Sequence, residues 1–380
     1  MMENPRILVD ARVGWGSGIG RYVANLLPLV ARRLPGAELV VLVLQRDVER
    51  AAQALGGAAG ITLRPCTISP FSLAEQVRLP HLASGFDLAW FTNYWVPLRW
   101  KGPFVVTVHD MLHQETRLFP ASRARRLLSR RTFAHVAAHA KAVMFDSRFT
   151  RREFERQLGP ARSGGVVHLG VDHHGWSADR PVVGPSSRER RLLVVASAKQ
   201  HKNFGVLLDA WTRARPDDGW TLTIVTPDQE LRSSIDLAAL SAGAGRVEVI
   251  QGLDDEALAS LYRSSALVAT PSLYEGFGLP LLEGLMAGAL CISSTAESLV
   301  EIAGGAWVVF VNGRDVDGWA QAIERGCSLI DDASADLGAL IEANRHHAAA
   351  FTWDRAANLT ADILLEALAN ISQAPTKQTP

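Results

Sequence analysis

Pro271-Ser-Leu-Tyr-Glu-Gly-Phe-Gly-Leu-Pro-Leu-Leu-Glu-Gly284 decides how this chain folds. An apolar run, Ala266-Leu-Val-Ala-Thr270, precedes it and reads as a buried strand. Pro280-Leu-Leu-Glu-Gly-Leu-Met-Ala-Gly288 reads as a helix with proline at its first position, where the missing N–H costs nothing. Gly276 and Gly278 let the backbone turn and approach a ligand closely. A strand, a glycine loop and a helix N-terminus form a site suited to an anion such as a diphosphate. Glu275 stands before the loop and Glu283 on the expected first helical turn. A carboxylate repels phosphate, so each is expected to face a hydroxyl-rich group, a sugar ring or a ribose. The plainer alternative is that Glu283 only complements the helix dipole and that the loop is one of many in α/β proteins.

Composition sets the bounds. A chain of 380 residues suits two domains of about 150 to 200 residues each. Hydrophobic content of 48% and charged content of 21% are those of a soluble globular protein. The formal net charge is zero, so no global field draws in nucleic acid. Cys66, Cys291 and Cys327 lie far apart without metal or redox spacing and read as reduced packing residues of a cytosolic protein. No apolar run has the length of a membrane span, and Met1-Met-Glu-Asn-Pro-Arg6 leads into a strand with no signal peptide. A cytoplasmic protein is expected, one that meets any membrane-borne substrate from the cytosolic face of the plasma membrane.

Ser272-Leu-Tyr-Glu-Gly-Phe-Gly-Leu-Pro-Leu-Leu-Glu283 resembles the signature of glycosyltransferase family 4, retaining enzymes of the GT-B fold. Two glutamates separated by seven residues, the first opening Glu-Gly-Phe-Gly, make the resemblance. It implies an α/β chain of two Rossmann-like domains facing across a deep cleft. Spread over five short motifs, it covers roughly residues 6 to 368.

Arg6-Ile-Leu-Val-Asp10 reads as the first buried strand, followed by Gly14-Trp-Gly-Ser-Gly-Ile-Gly20 and a helix through Val30. A dinucleotide site is disfavoured there, because the second strand, Leu39-Val-Val-Leu-Val-Leu44, ends in Gln45-Arg46 and not in an acidic residue. Gly18-Ile-Gly-Arg-Tyr22 resembles a segment of many family members, mannosyltransferases among them, so Gly18, Gly20, Arg21 and Tyr22 are expected on a loop at the acceptor side of the cleft. Phe71-Ser-Leu-Ala-Glu-Gln-Val-Arg-Leu-Pro80 resembles a family segment with Glu-Gln and Leu-Pro. Tyr94, in the aromatic loop Thr92-Asn-Tyr-Trp-Val-Pro97, either stacks on an acceptor sugar or packs the domain. His109-Asp110 ends the core strand Phe104-Val-Val-Thr-Val108, where open sheets gather ligand residues. A lone histidine is often just packed or capped; the resemblance implies that His109 contacts the transferred sugar. Asp110 reads as a cap of the next turn. Arg123, Arg125, Arg126, Arg130 and Arg131 alternate with apolar residues on a helix, either as a solvated face or as a contact with anionic lipid. Asp146-Ser-Arg-Phe-Thr-Arg-Arg-Glu153 starts a helix with Ser147 or Asp146 as its N-cap.

Arg180 to Arg190 has the Pro, Gly, Ser and charge content of a linker, so domains are expected over 1–180 and 190–351. A terminal helix over about 352–370 would return to the first domain by resemblance, and 371–380 is expected to be disordered. Leu192-Leu-Val-Val-Ala196 opens the second domain and runs into Ser197-Ala-Lys-Gln-His-Lys-Asn203. The family carries an Arg-Lys-Asn here, or an arginine five residues before the lysine; this chain has His201 and Ser197 at those places. Lys202 is the expected diphosphate contact, with Lys199 or protonated His201 as a second cation. Gly252-Leu-Asp-Asp-Glu-Ala-Leu-Ala-Ser-Leu-Tyr262 reads as a helix with an acidic start. By resemblance Glu283 holds the ribose, Glu275 a sugar hydroxyl, and Gly276, Phe277, Gly278 and Leu279 the diphosphate through their backbone. The implied reaction moves a hexose with retention from a nucleotide sugar, GDP-mannose or a GDP-deoxyhexose before a UDP-sugar. A glycan or a polyprenyl-diphosphate-linked acceptor in cell-surface polysaccharide synthesis receives it. No cofactor or metal is expected, and no nucleic-acid partner. An epimerase, a dinucleotide-dependent oxidoreductase and a non-catalytic sugar-binding protein are the competing readings.

Overall fold

The computed structural model of the chain describes residues 4–82, 84–115, 118, 122–171, 176, 187–217, 219–228, 245–332 and 336–373. Two compact units make it up. The first is built from the chain up to Gly170 together with a terminal segment beginning at Trp353, and the second from Val171–Thr352 with a short piece around residue 118. Most of the expected linker, 180–186, lies outside the described residues. The strand expected from Leu192 already begins at Glu189.

Seven strands form the sheet of the first unit: β1 Arg6–Asp10, β2 Glu38–Leu44, β3 Ile61–Cys66, β4 Leu88–Phe91, β5 Phe104–Val108, β6 Ala142–Phe145 and β7 Gly164–Val166. All pairings are parallel, in the order β3-β2-β1-β4-β5-β6-β7. The second unit holds β8 Glu189–Val195, β9 Thr221–Val225, β10 Arg246–Ile250, β11 Ser265–Thr270, β12 Leu290–Ser294 and β13 Val308–Val311. These are also parallel, in the order β10-β9-β8-β11-β12-β13. Central strands such as β5 and β11 are buried along their whole length, because helices cover both faces of a parallel sheet.

In the first unit, helices Glu75–Leu82 and Arg123–His139 cover one face. Leu79 of the former and Phe133 and Val136 of the latter share a core with Leu8, Val40, Phe91 and Val106. Tyr22, on helix Gly18–Arg33, meets Trp90 from the other face, since successive strand residues point to opposite sides. Helix Trp353–Ser372 packs along the same helix: Arg33 donates to Asp354 and Asn358, and the Trp353 ring meets Tyr22 edge-on at 6.4 Å. Ile371 and Ser372 are helical, not part of a disordered tail; residues 374–380 lie outside those described. In the second unit Trp211, Trp220 and Trp319 pack with Leu192, Ile224, Leu267 and Ile292.

Strand order reverses between β1 and β4 in one sheet and between β8 and β11 in the other. Loops leaving the carboxyl ends of those strands diverge there and open a crevice, the usual ligand position in such sheets.

Candidate functional site

In the second unit, the loops after β8 and β11 meet at that reversal. Chain geometry brings them together through Asn203. Its φ of 58° lies in the left-handed region that asparagine tolerates better than most residues, and this turns the chain from Gln200–Lys202 into helix Phe204–Ala214. Its Nδ2 donates to the carbonyls of Pro271 at 3.0 Å and Gly313 at 2.5 Å. The Leu273 N–H donates to the His201 carbonyl at 2.7 Å. Lys202 Nζ then reaches Glu275 Oε1 at 2.6 Å, with the two side chains only 17% and 12% exposed. Burial opposes the Glu275 charge, but Lys202, a hydrogen bond from Ser272 and the nearby His201 hold the carboxyl below its usual range. Ser298 Oγ fixes the Glu275 carbonyl at 2.7 Å.

Helix Leu279–Ala287 starts at Gly278, whose φ is +117° and which gives the helix no side-chain cap. A Cβ at Gly278 would stand 2.4 Å from Leu299 Cδ2, so glycine is required both by conformation and by space. Pro280 is the second helical residue, not the first. Glu283 falls beyond the first turn and is 1% exposed. The dipole-partner alternative for Glu283 is thereby removed, because that effect fades within one turn. Of the other expected donor residues, His201 is buried, Ser197 and Lys202 are half-buried, and Lys199 is exposed. Phe277 is buried with its ring edge-on to Phe351 at 6.1 Å.

In the first unit, His109 leaves β5 and Asp146 leaves β6. Val108 pairs with Phe145, so the two side chains emerge side by side. His109 Nδ1 lies 2.7 Å from Asp146 Oδ2, and Nε2 lies 2.8 Å from the Thr92 carbonyl. Both ring nitrogens face acceptors, an arrangement that fits the doubly protonated imidazolium. Burial works against the charge, but Asp146 and the Thr92 carbonyl outweigh it and raise the His109 pKa above its ordinary value. Tyr22 supports the ring edge-on at 4.9 Å, and its hydroxyl is 3.0 Å from Thr107 Oγ1. Ser147, not Asp146, caps the helix Arg148–Leu158. Asp110 accepts from the Leu112 N–H at 2.9 Å and caps the turn as expected.

Several expected acceptor residues lie elsewhere than on an open loop. Gly18, Gly20, Arg21 and Tyr22 belong to the first turns of helix Gly18–Arg33, which Ser17 caps. A Cβ at Gly20 would stand 2.6 Å from the Gly14 carbonyl oxygen, so the glycine there serves close packing of loop on helix. Tyr22 is 2% exposed and Tyr94 5%; Tyr94 stacks on Phe133 at 4.3 Å. Both are core residues, and neither ring is open for a sugar. Arg123, Arg125, Arg130 and Arg131 are exposed and Arg126 is half-buried.

The sequence reading missed a buried charge cluster at the end of β1. Arg12 grips Asp10 with Nε at 2.8 Å and Nη2 at 2.7 Å, and reaches Glu75 Oε1 at 2.5 Å. Its Nη1 donates to the Ile68 carbonyl at 3.0 Å. Glu75 Oε2 accepts from Trp95 Nε1 at 2.7 Å and from the Phe71 N–H at 2.9 Å. The available signal was Arg12 just past the end of the first strand and Glu75 at a helix start. Among the described residues no group of three His, Cys, Asp or Glu side chains is arranged to hold a metal ion. No helix among them is long and apolar enough to cross a membrane.

Two parallel α/β units, each with its loops gathered at a strand-order reversal, define the GT-B class. The family description "Glycosyltransferase Family 4" matches residues 16–174, and "Glycosyl transferases group 1" matches residues 189–328. The chain belongs to glycosyltransferase family 4. It is 31% identical over 211 residues to an MMP alpha-(1->4)-mannosyltransferase of Mycolicibacterium hassiacum, covering 54% of this chain and 49% of that protein. That match and those to two Mycobacterium tuberculosis glycogen synthases span about half the length of these relatives. A D-inositol 3-phosphate glycosyltransferase of Mycolicibacterium smegmatis is 26% identical, with 91% of this chain and 85% of that protein covered. In fold, the chain is similar to Anabaena Alr3699/HepE, solved with UDP and glucose, at a TM-score of 0.73 and 18% identity over 96% of this chain and all (100%) of that one. A sucrose-phosphate synthase of Thermosynechococcus elongatus gives a TM-score of 0.72 at 16% identity, covering 97% and 100%.

Proposed function

We propose that this protein transfers a hexose, with retention, from a nucleotide sugar to an acceptor hydroxyl. The Lys202–Glu275 pair carries the reading. Lysine and glutamate stand 2.6 Å apart beside a helix start with no side-chain cap. A donor gives each a further partner beside the other: diphosphate for Lys202, a sugar hydroxyl for Glu275. The helix N-terminus at Gly278 adds its positive dipole end to the diphosphate, so the charge of the leaving group is met by lysine and backbone without a metal. Glu283 is assigned to the ribose, and Lys199 or His201 completes the cation set. His109, whose protonated form Asp146 favours, is assigned by the family resemblance to the transferred sugar. In this front-face reaction the leaving phosphate oxygen takes the acceptor's proton as the glycosidic bond to phosphate breaks and the new one forms.

The donor assigned is GDP-mannose or a related GDP-deoxyhexose, in line with the Gly18–Tyr22 segment and the mannosyltransferase relative. A UDP-sugar is the second reading, favoured by the UDP held in the Anabaena neighbour. The acceptor assigned is a glycan or a polyprenyl-diphosphate-linked saccharide, reached at the cytosolic face of the membrane.

A thermal-shift screen with UDP, GDP, ADP and dTDP, with and without magnesium, tests the donor. A nucleotide at a hundred times its Kd adds about 2.7 kcal/mol of stability. Stabilisation by one diphosphate, equal in EDTA and in magnesium, is expected. Absence of stabilisation by all four refutes the donor site.

A further inference from the structure

We propose that the first unit docks on an anionic bilayer surface through an apolar tip at Phe71, Leu73 and Val77 together with the arginine-bearing outward side of helix Arg123–His139. As the place where a lipid-linked acceptor is met, this surface rests on the reading above; as a membrane contact it stands on its own observations.

Leu73 is 90% exposed, Phe71 47% and Val77 46%. Phe71 has φ +64°, a region that bulky residues avoid. Glu75 Oε2 holds its N–H at 2.9 Å, and its ring packs on Trp95 at 4.5 Å. The other Glu75 oxygen is fixed by the buried Arg12. A buried ion pair and a strained backbone therefore combine to hold an apolar ring partly in solvent. Strain of this kind persists where the surroundings over-determine it, and it gathers at functional positions.

Ring contacts run from Phe71 to Trp95, from Trp95 to Tyr94, and from Tyr94 to Phe133 on helix Arg123–His139. That helix and Glu75–Leu82 share one core on one face of the sheet. Its outward side carries Arg123, Leu127, Arg130 and Arg131 at helical spacing, with Leu127 51% exposed. Segments 71–82, 95–101 and 122–141 together hold nine arginines and lysines and a single carboxylate, Glu75, which is buried. Over the whole chain positive and negative residues balance at 39 each, so the asymmetry belongs to these segments; Asp110 and Glu115 border them beside Leu112–Gln114, whose Gln114 donates to Ser129. Anionic headgroups attract such cations, and short apolar side chains enter the boundary between headgroups and acyl chains. Nucleic acid shares the charge complementarity but lacks the acyl phase that takes up an aliphatic side chain as exposed as Leu73.

The test is co-sedimentation of the full chain with vesicles of phosphatidylcholine alone and of roughly two parts phosphatidylcholine to one part phosphatidylglycerol. Binding to the anionic vesicles only is expected, weakening steeply with salt. Leu73→Asp and the pair Arg130→Gln with Arg131→Gln each reduce it about tenfold or more. The exposure of these side chains leaves folding intact, and nucleotide-induced thermal stabilisation serves as the control. Leu73→Trp shifts its fluorescence to the blue on anionic vesicles. Equal binding to both vesicle types, or no loss with Leu73→Asp, overturns the proposal. So does single-stranded DNA displacing the vesicles with no blue shift at Leu73→Trp. Vesicle binding without nucleotide stabilisation would instead sink the transfer reading and leave the docking surface standing.

Discussion

Lys202→Met isolates the pair on which the proposed chemistry rests. In the unliganded unit it strands Glu275, whose side chain is only 12% exposed. Breaking a buried ion pair by removing one partner costs about 3 to 5 kcal/mol. Ser272 continues to donate to the carboxylate, so the lower end, about 3 kcal/mol, applies. In a unit of this size each kcal/mol moves Tm by about 2 to 4 °C, which predicts a fall of about 6 to 12 °C at neutral pH. The pH dependence should also change sign. In the parent the Glu275 pKa is depressed. Its contribution is present above the unfolded carboxyl value, about 4.3, and is lost as pH falls through the folded value. Without Lys202, burial dominates and raises that pKa. The variant is then least stable at neutral pH and gains on its parent as the solution is acidified. Adding Glu275→Gln removes the stranded charge and should restore most of the lost Tm, while nucleotide stabilisation stays absent. The assay is thermal unfolding of the three variants from pH 4 to 8, with and without the stabilising diphosphate. A Lys202→Met protein as stable as its parent across that range refutes the argument, because the pair would then be solvated and contribute no net stability.

Asp146→Asn should lower the His109 pKa. In the parent, a raised histidine pKa contributes stability fully present below the unfolded value, about 6.5, and lost as pH rises through the folded value. The variant should lose stability near pH 6 and show a flatter alkaline limb in a pH series of urea unfolding; an unchanged limb counts against the charged dyad. Arg12→Met leaves Asp10 and Glu75 buried without their cation and should cost about 3 to 5 kcal/mol, read as a lower urea midpoint. A change below about 1 kcal/mol would mean the cluster is hydrated. Gly278→Ala forces a side chain into φ +117° against Leu299 and should cost about 1 to 3 kcal/mol. It should weaken nucleotide stabilisation more than it lowers the unliganded Tm, and equal effects would mean that the helix start does not face the ligand.

Strand ends were legible because a buried parallel strand is a short apolar run whose next residue leaves the sheet. The run ending at Val108 places His109, and the run ending at Thr270 places the glycine loop. Less legible was which strand ends become neighbours, because strand order is a property of the whole sheet. Asp146 is the clearest case. As a helix-cap candidate it competed with Ser147 on equal local terms, since both are good caps. Only the parallel register of β5 and β6, with Val108 opposite Phe145, sets its carboxylate against His109 and leaves the cap to Ser147. The Arg12 cluster is hidden for the same reason: its partners come from residues two and sixty-three positions away. Tyr22 shows the opposite error, and Tyr94 takes the packing alternative of its two readings. An aromatic residue beside a glycine or in a loop invites a ligand role, yet a large ring usually contributes more by burial, and both rings are in the core. The burial of Tyr22 still bears on the site, because its ring supports His109 at 4.9 Å. A motif residue can thus serve a reaction by fixing the group that takes part in it, and spacing alone does not separate the two roles.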